Sequence, residues 1–149
     1  MRNRRLFLTL AFIVLLGVGA YLWAFNPPTY QVYVPNAGDG TISVLDGQTG
    51  EILYTIKVGE STSHGLAVTP DNRLVYTGNL DDGQVFVIST ETREIIKTIT
   101  VGERVHGIDM SPDGRYVLVS AGRTGGPYLA VIATDTNTVV SEITSNLVS

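Results

Sequence analysis

From Gln31 onward the chain alternates. Ile42 and Val44, then Val85 and Val87, stand apolar between small or polar neighbours. This period of two is that of a pleated strand with one face turned inward, and the abundance of Val, Ile, Thr and Tyr suits such a surface. Turn chemistry punctuates the runs. Asp39-Gly40 and Asp82-Gly83 supply the positive φ of tight hairpins. Pro70-Asp71-Asn72-Arg73 and Pro112-Asp113-Gly114-Arg115 place proline first, with Asn or Gly at the left-handed position. These boundaries predict eleven strands: 31–36, 41–46, 51–58, 64–69, 74–79, 84–89, 94–101, 106–111, 116–121, 128–133 and 138–144. No stretch after Asn26 has helical periodicity, so the expected class is all-β.

The pattern also repeats on a longer scale. Tyr33 and Tyr76 lie 43 residues apart, and His64 and His106 lie 42 apart. A period of about 40–45 residues with four strands per unit marks a β-propeller blade of antiparallel strands. Eleven strands amount to about 2.75 blades, whereas closed rings need about four to eight. The expectation is an open or partial ring that begins on a second strand and ends on an outer one. Either the missing strands belong to a longer propeller of which this is a fragment, or the end blades are covered by a protein partner or by self-association.

The repeat elements resemble the YVTN family of propeller repeats. Tyr33-Val34-Pro35-Asn36 and Tyr76-Thr77-Gly78-Asn79 carry its strand ending. Ile42-Ser43-Val44-Leu45-Asp46, Ile56-Lys57-Val58-Gly59 and Ser111-Pro112-Asp113-Gly114-Arg115 follow in its order. The third copy departs, with Leu118-Val119-Ser120-Ala121 at the motif and a hairpin lengthened by residues 123–127. The resemblance implies a periplasmic or surface-exposed propeller. It also implies kinship with the haem-carrying propeller of dissimilatory nitrite reductases, without implying one activity.

The first 25 residues differ in kind. Arg2, Arg4 and Arg5 precede a 20-residue uncharged run from Leu6 to Phe25. At about 1.5 Å per residue, such a helix spans a bilayer core of roughly 30 Å. The small residues Val18-Gly19-Ala20 would suit signal cleavage. The apolar run continues past them, which favours an uncleaved anchor. The expected layout is a membrane or signal helix at 1–25, a Pro-rich linker at 26–29 and the repeats at 30–149, held on the outer side of an inner membrane. Beyond the anchor, seven basic residues face fourteen acidic ones. That excess argues against nucleic acid as a partner. The absence of cysteine excludes thiolate metal sites and covalently attached c-type haem.

Candidate chemistry is sparse. The two histidines share one place in the repeat, as His64-Gly65 and His106-Gly107. Each is expected to open an inner strand near one mouth of the axis, where imidazole can meet a metal, a haem iron or an anion. Gly65, Gly107 and Asp109 would complete a ligand rim. The structural alternative has both rings bonded to turn carbonyls or a neighbouring blade. A dedicated metal site is not expected, because face-packed sheets stand about 10 Å apart and no third ligand is near. Asp109 is expected to be buried and paired with Arg104 or Arg115. No nucleophile motif surrounds Ser111 or Ser120. The first functional expectation is therefore a non-enzymatic, membrane-anchored binding module with no cofactor. The alternative is a haem-binding or redox propeller in which His64 and His106 touch the cofactor.

Overall fold

The computed structural model describes residues 29–123 and 126–144. The expected anchor at 1–25 and most of the linker at 26–29 lie outside them. The described chain is all-β and forms eleven strands in three antiparallel sheets. The first sheet holds β1 (Gln31–Asn36), β2 (Thr41–Asp46) and β3 (Ile52–Lys57). The second holds β4 (Leu66–Val68), β5 (Leu74–Gly78), β6 (Gln84–Ser89) and β7 (Ile95–Thr100). The third holds β8 (Arg104–Met110), β9 (Tyr116–Arg123), β10 (Gly126–Ala133) and β11 (Thr138–Thr144). In each sheet the strands lie side by side in chain order, as in a propeller blade.

The turns form where their residues demand. Gly40, Gly83 and Gly114 adopt φ of 58°, 65° and 70°, and Asn72 adopts 57°. Gly40 and Gly83 have a second constraint: an added Cβ would stand 2.1 Å and 2.0 Å from the carbonyl oxygens of Gly59 and Gly102.

The sheets stack face on face, and alternation assigns each side chain to one interface. In the second sheet, Val75, Phe86 and Ile88 join Ile42, Val44 and Ile56 of the first sheet in one apolar cluster. Tyr76, Val85 and Val87 turn the other way, onto Val117, Val119, Ala130 and Ile132 of the third sheet. Covered on both faces, β6 is buried at four successive positions, Val85 to Ile88. The outer strands share a bulge. Val44 pairs with Tyr54 and Leu45 with Ile52, so Leu53 is skipped. Ile96 and Val140 are skipped at the equivalent places. An extra residue in one strand of a pair is turned out of the ladder, and all three of these are exposed.

Three expectations need correction. The inner strand β4 is only three residues long, so His64 and Gly65 precede it rather than open it. The strand β8 begins at Arg104, two residues early, so His106 lies inside it. The third hairpin is lengthened as expected, but through its strands: β9 runs on to Arg123 and β10 starts at Gly126, past the expected ends at 121 and 128, with Arg123 paired to Gly126.

Candidate functional site

Both histidines are exposed, and each is presented by a local device. Before β4, the run Ser61-Thr62-Ser63 is tied to β5. Thr62 and Ser63 are fully buried. The hydroxyls of Thr62 and Thr77 meet at 2.9 Å. Ser63 Oγ accepts from the Gly78 amide at 3.0 Å and donates to the Gly65 carbonyl at 2.7 Å. A buried polar group is stable only when bonded in this way. The pinned segment carries His64 into a bend at its end. On β8 the ladder skips a residue between Val105 and Gly107, and that residue is His106. The bulge is closed by Ser120, whose Oγ accepts from the Gly107 amide at 3.0 Å. Bulges re-aim side chains in this manner.

The two segments meet. A Cβ on Gly65 would stand 2.5 Å from the Ile108 amide nitrogen and 3.3 Å from the Gly107 carbonyl carbon. The residue after His64 therefore presses on the backbone one and two residues after His106. Only glycine permits that approach. The two imidazoles thus flank a single backbone crossing, and both are exposed. Among the described residues neither ring makes a hydrogen bond to protein. The alternative of rings bonded to turn carbonyls or a neighbouring blade is not what the structure has.

Asp109 departs from expectation. It pairs with Leu118 and is exposed, on the face of the third sheet that turns away from the second. Two-residue alternation explains this, because Ile108 and Met110 pack against the second sheet and the residue between them must face the other way. The Asp109 carboxylate accepts from the Met110 amide at 2.8 Å. Neither arginine serves it: Arg104 donates to the Leu80 carbonyl, and Arg115 lies over the Tyr116 ring.

A cavity of about 660 Å³ lies at the other end of β4 from His64, lined by Pro70, Asp71, Arg73, Asp113 and Thr134 among others. Two of its carboxylates are engaged in their own turns. Asp71 is held below the usual carboxylate range by the Thr69 hydroxyl and then the Arg73 amide, and Asp113 by Ser111 and Arg115 in the same way. Among the described residues no three His, Cys, Asp or Glu side chains gather closely enough to hold a metal ion. The positioning residues Thr62, Ser63 and Ser120 are absent from the sequence-derived site. The polar triplet directly before His64 was the available signal for two of them.

The donor set is two exposed imidazoles without protein partners among the described residues, beside two glycines whose Cβ positions are taken up by the Ile108 backbone and by Ser120 Oγ. Imidazole is a donor that haem iron takes, and among the described residues no third ligand gathers with these two to hold a bare ion. A family model described as Cytochrome D1 heme domain matches residues 30–147. Among solved structures, hydrazine synthase of Kuenenia stuttgartiensis is similar at 26% identity and a TM-score of 0.72, over 77% of this chain and 32% of that one. The dihydro-heme d1 dehydrogenase NirN in complex with DHE is similar at 26% identity and a TM-score of 0.62, over 76% and 24%. The chain thus spans about a third and a quarter of these two structures. No curated protein matches it.

Proposed function

Since the chain belongs to the cytochrome D1 heme domain family, we propose that it forms one sector of a haem-binding propeller, with His64 and His106 facing the cofactor. The observation that carries this reading is that both imidazoles stand exposed, beside one backbone crossing, with no protein partner among the described residues. The comparisons thereby favour the haem alternative over the cofactor-free binding module. A d1-type haem, when bound, would supply redox chemistry and a ligand site at its iron. The protein's own part is to hold and orient. Thr62 and Ser63 fix the approach of His64, and the Ser120-closed bulge fixes His106. Each neutral imidazole offers one nitrogen as donor and one as acceptor, so either ring can ligate iron or bond a ligand held on it. Residues 1–25 favour delivery of this sector to the outer side of a membrane.

Titration of the full chain with d1-type haem and with protohaem, followed by visible absorption, tests the reading. The expected result is a saturable shift of the haem bands that weakens at least about tenfold in the His64→Ala, His106→Ala double variant, the loss of a bond to a charged or metal-bound group being worth about 1.5–3 kcal/mol. Haem bands that do not change on addition of the chain, or that change equally with the double variant, would overturn it.

A further inference from the structure

The third sheet has an apolar face that touches nothing among the described residues. Its chemistry can be read from the sheet before it. The pairing registers superpose the two: Tyr76 pairs with Ala67 and Val87, as Leu118 pairs with Asp109 and Val131. Val85 pairs with Ile99, as Leu129 pairs with Ile143. In the second sheet, Tyr76, Val85, Val87 and Ile99 form the buried face on which the third sheet sits. Their counterparts remain apolar yet uncovered, with Leu118 36% and Ile143 54% exposed.

The first sheet offers the complementary half. Val117, Val119 and Ile132 are part of the face with which the third sheet grips the second, beside Val105 and Ile108 of β8. Their register counterparts are Val32, Val34 and Leu45, on the side of the first sheet away from the second. Val32 is 41% exposed and Val34 38%. One end of the stack thus carries the part of the donor face that β9 and β10 supply to the existing contact, and the other end carries its acceptor face.

We propose that these two faces dock on each other between copies of this chain, the first sheet of one copy on the third sheet of the next. Two polar replacements on the acceptor face point to that occupant. Where the second sheet has Ala67 and Gly78, the third has Asp109 and Ser120. In the internal contact Gly78 is the spot struck by Val105 of the innermost strand β8, 2.3 Å from an added Cβ. A sheet arriving with a β8-like strand would collide with Ser120 and bury Asp109. Among the described residues the edge strand of the first sheet is β1, which is counterpart to β9 and not to β8. It covers the apolar positions and leaves Asp109 and Ser120 in water. A head-to-tail contact of this kind is heterologous, so it builds a ring or an open filament. The proposal is independent of haem binding.

The chain contains no cysteine, which makes cross-linking specific. Full-length Val34→Cys and Leu118→Cys chains are mixed in mild detergent and treated with a short bismaleimide. A cross-linked dimer is expected in that mixture and is expected to be lost when Glu91→Cys, on an outer turn, replaces Leu118→Cys. Adding Val131→Asp to the Leu118→Cys chain should abolish the band while circular dichroism stays that of a β-sheet protein. Equal cross-linking in the control mixture, in Val34→Cys alone, or none in any mixture would overturn the proposal. The first would indicate association through other parts of the chain. The second would indicate pairing of first sheets with each other, and the third a face covered by something other than a second copy.

Discussion

Gly78 of β5 lies bare against Val105 of β8: a Cβ added to it would stand 2.3 Å from one Val105 methyl carbon and 2.6 Å from its Cβ. Two sheets approach here as closely as backbone and side chain allow, beside the segment that carries His64. Gly78→Ala should destabilise the chain by about 1–3 kcal/mol through overpacking. Val105→Ala in the same chain should recover part of the loss. Gly65→Ala makes a contrast, because its added methyl strikes the Ile108 amide, and no side-chain trimming relieves backbone. Chemical denaturation of the three variants checks the pattern.

The buried hydroxyl pair Thr62 and Thr77 should behave as a unit. Thr62→Val alone leaves the Thr77 hydroxyl unsatisfied at about 1–3 kcal/mol, while Thr62→Val with Thr77→Val is expected to be closer to neutral. A double-mutant cycle with additive losses would show that the pair is not coupled. Haem affinity should fall in the single variant and stay low in the double even where stability recovers, because the hydroxyl pair holds the approach to His64.

Alkali should loosen the stack at Tyr76. Its phenol is pushed up to about 12, first by burial and then by the Asp71 carboxylate. Its hydroxyl donates to Asn137 in the turn between β10 and β11. The folded pKa lies above the unfolded one, so the contribution is complete below pH 10 and is lost as pH rises towards 12. The loss should be roughly 2 kcal/mol. Tyr76→Phe should flatten this alkaline limb in urea melts taken across that range, apart from a residual slope from Tyr33, which is also raised to about 12.

Acid acts on the two Pro-Asp turns with the opposite sign. Asp71 and Asp113 are lowered from 3.8 in the folded chain, so they stabilise it above that value and cease to as pH falls through their folded pKa. Thr69→Val and Ser111→Ala remove the largest cause in each case. Carboxyl-resolved NMR titration should then find each aspartate moved up towards its ordinary value, with the other unchanged.

The strand plan was legible because its punctuation is chemical. Asp-Gly, Pro-Asp-Asn and Pro-Asp-Gly sit where the left-handed backbone occurs, at Gly40, Asn72, Gly83 and Gly114. The positions that misled are those decided by a neighbour in space. Arg93 and Asn137 take positive φ because they occupy the place of Gly50 in the repeat, and no local residue preference announces that for arginine. The Arg93 guanidinium then lies 3.9 Å from the centre of the Tyr54 ring on the first sheet. Asp109 was expected to be buried because it lies between two apolar residues, but the period of two gives parity without saying which parity faces a neighbour. The pairing of His64 with His106 was visible as a repeat. The crossing at Gly65 that brings their backbone segments together was not, since it depends on how closely two sheets approach.

In β6 the neighbours Val87 and Ile88 belong to different hydrophobic clusters, one shared with the third sheet and one with the first. Parting the stack on one side wets only one face of that strand, and its other face stays covered by the remaining sheet. Its amide protons should therefore exchange with deuterium more slowly than those of β2 or β9. The middle strand would then serve as a clock for the integrity of the whole stack, and a ligand binding at the histidines would be read there as a delay.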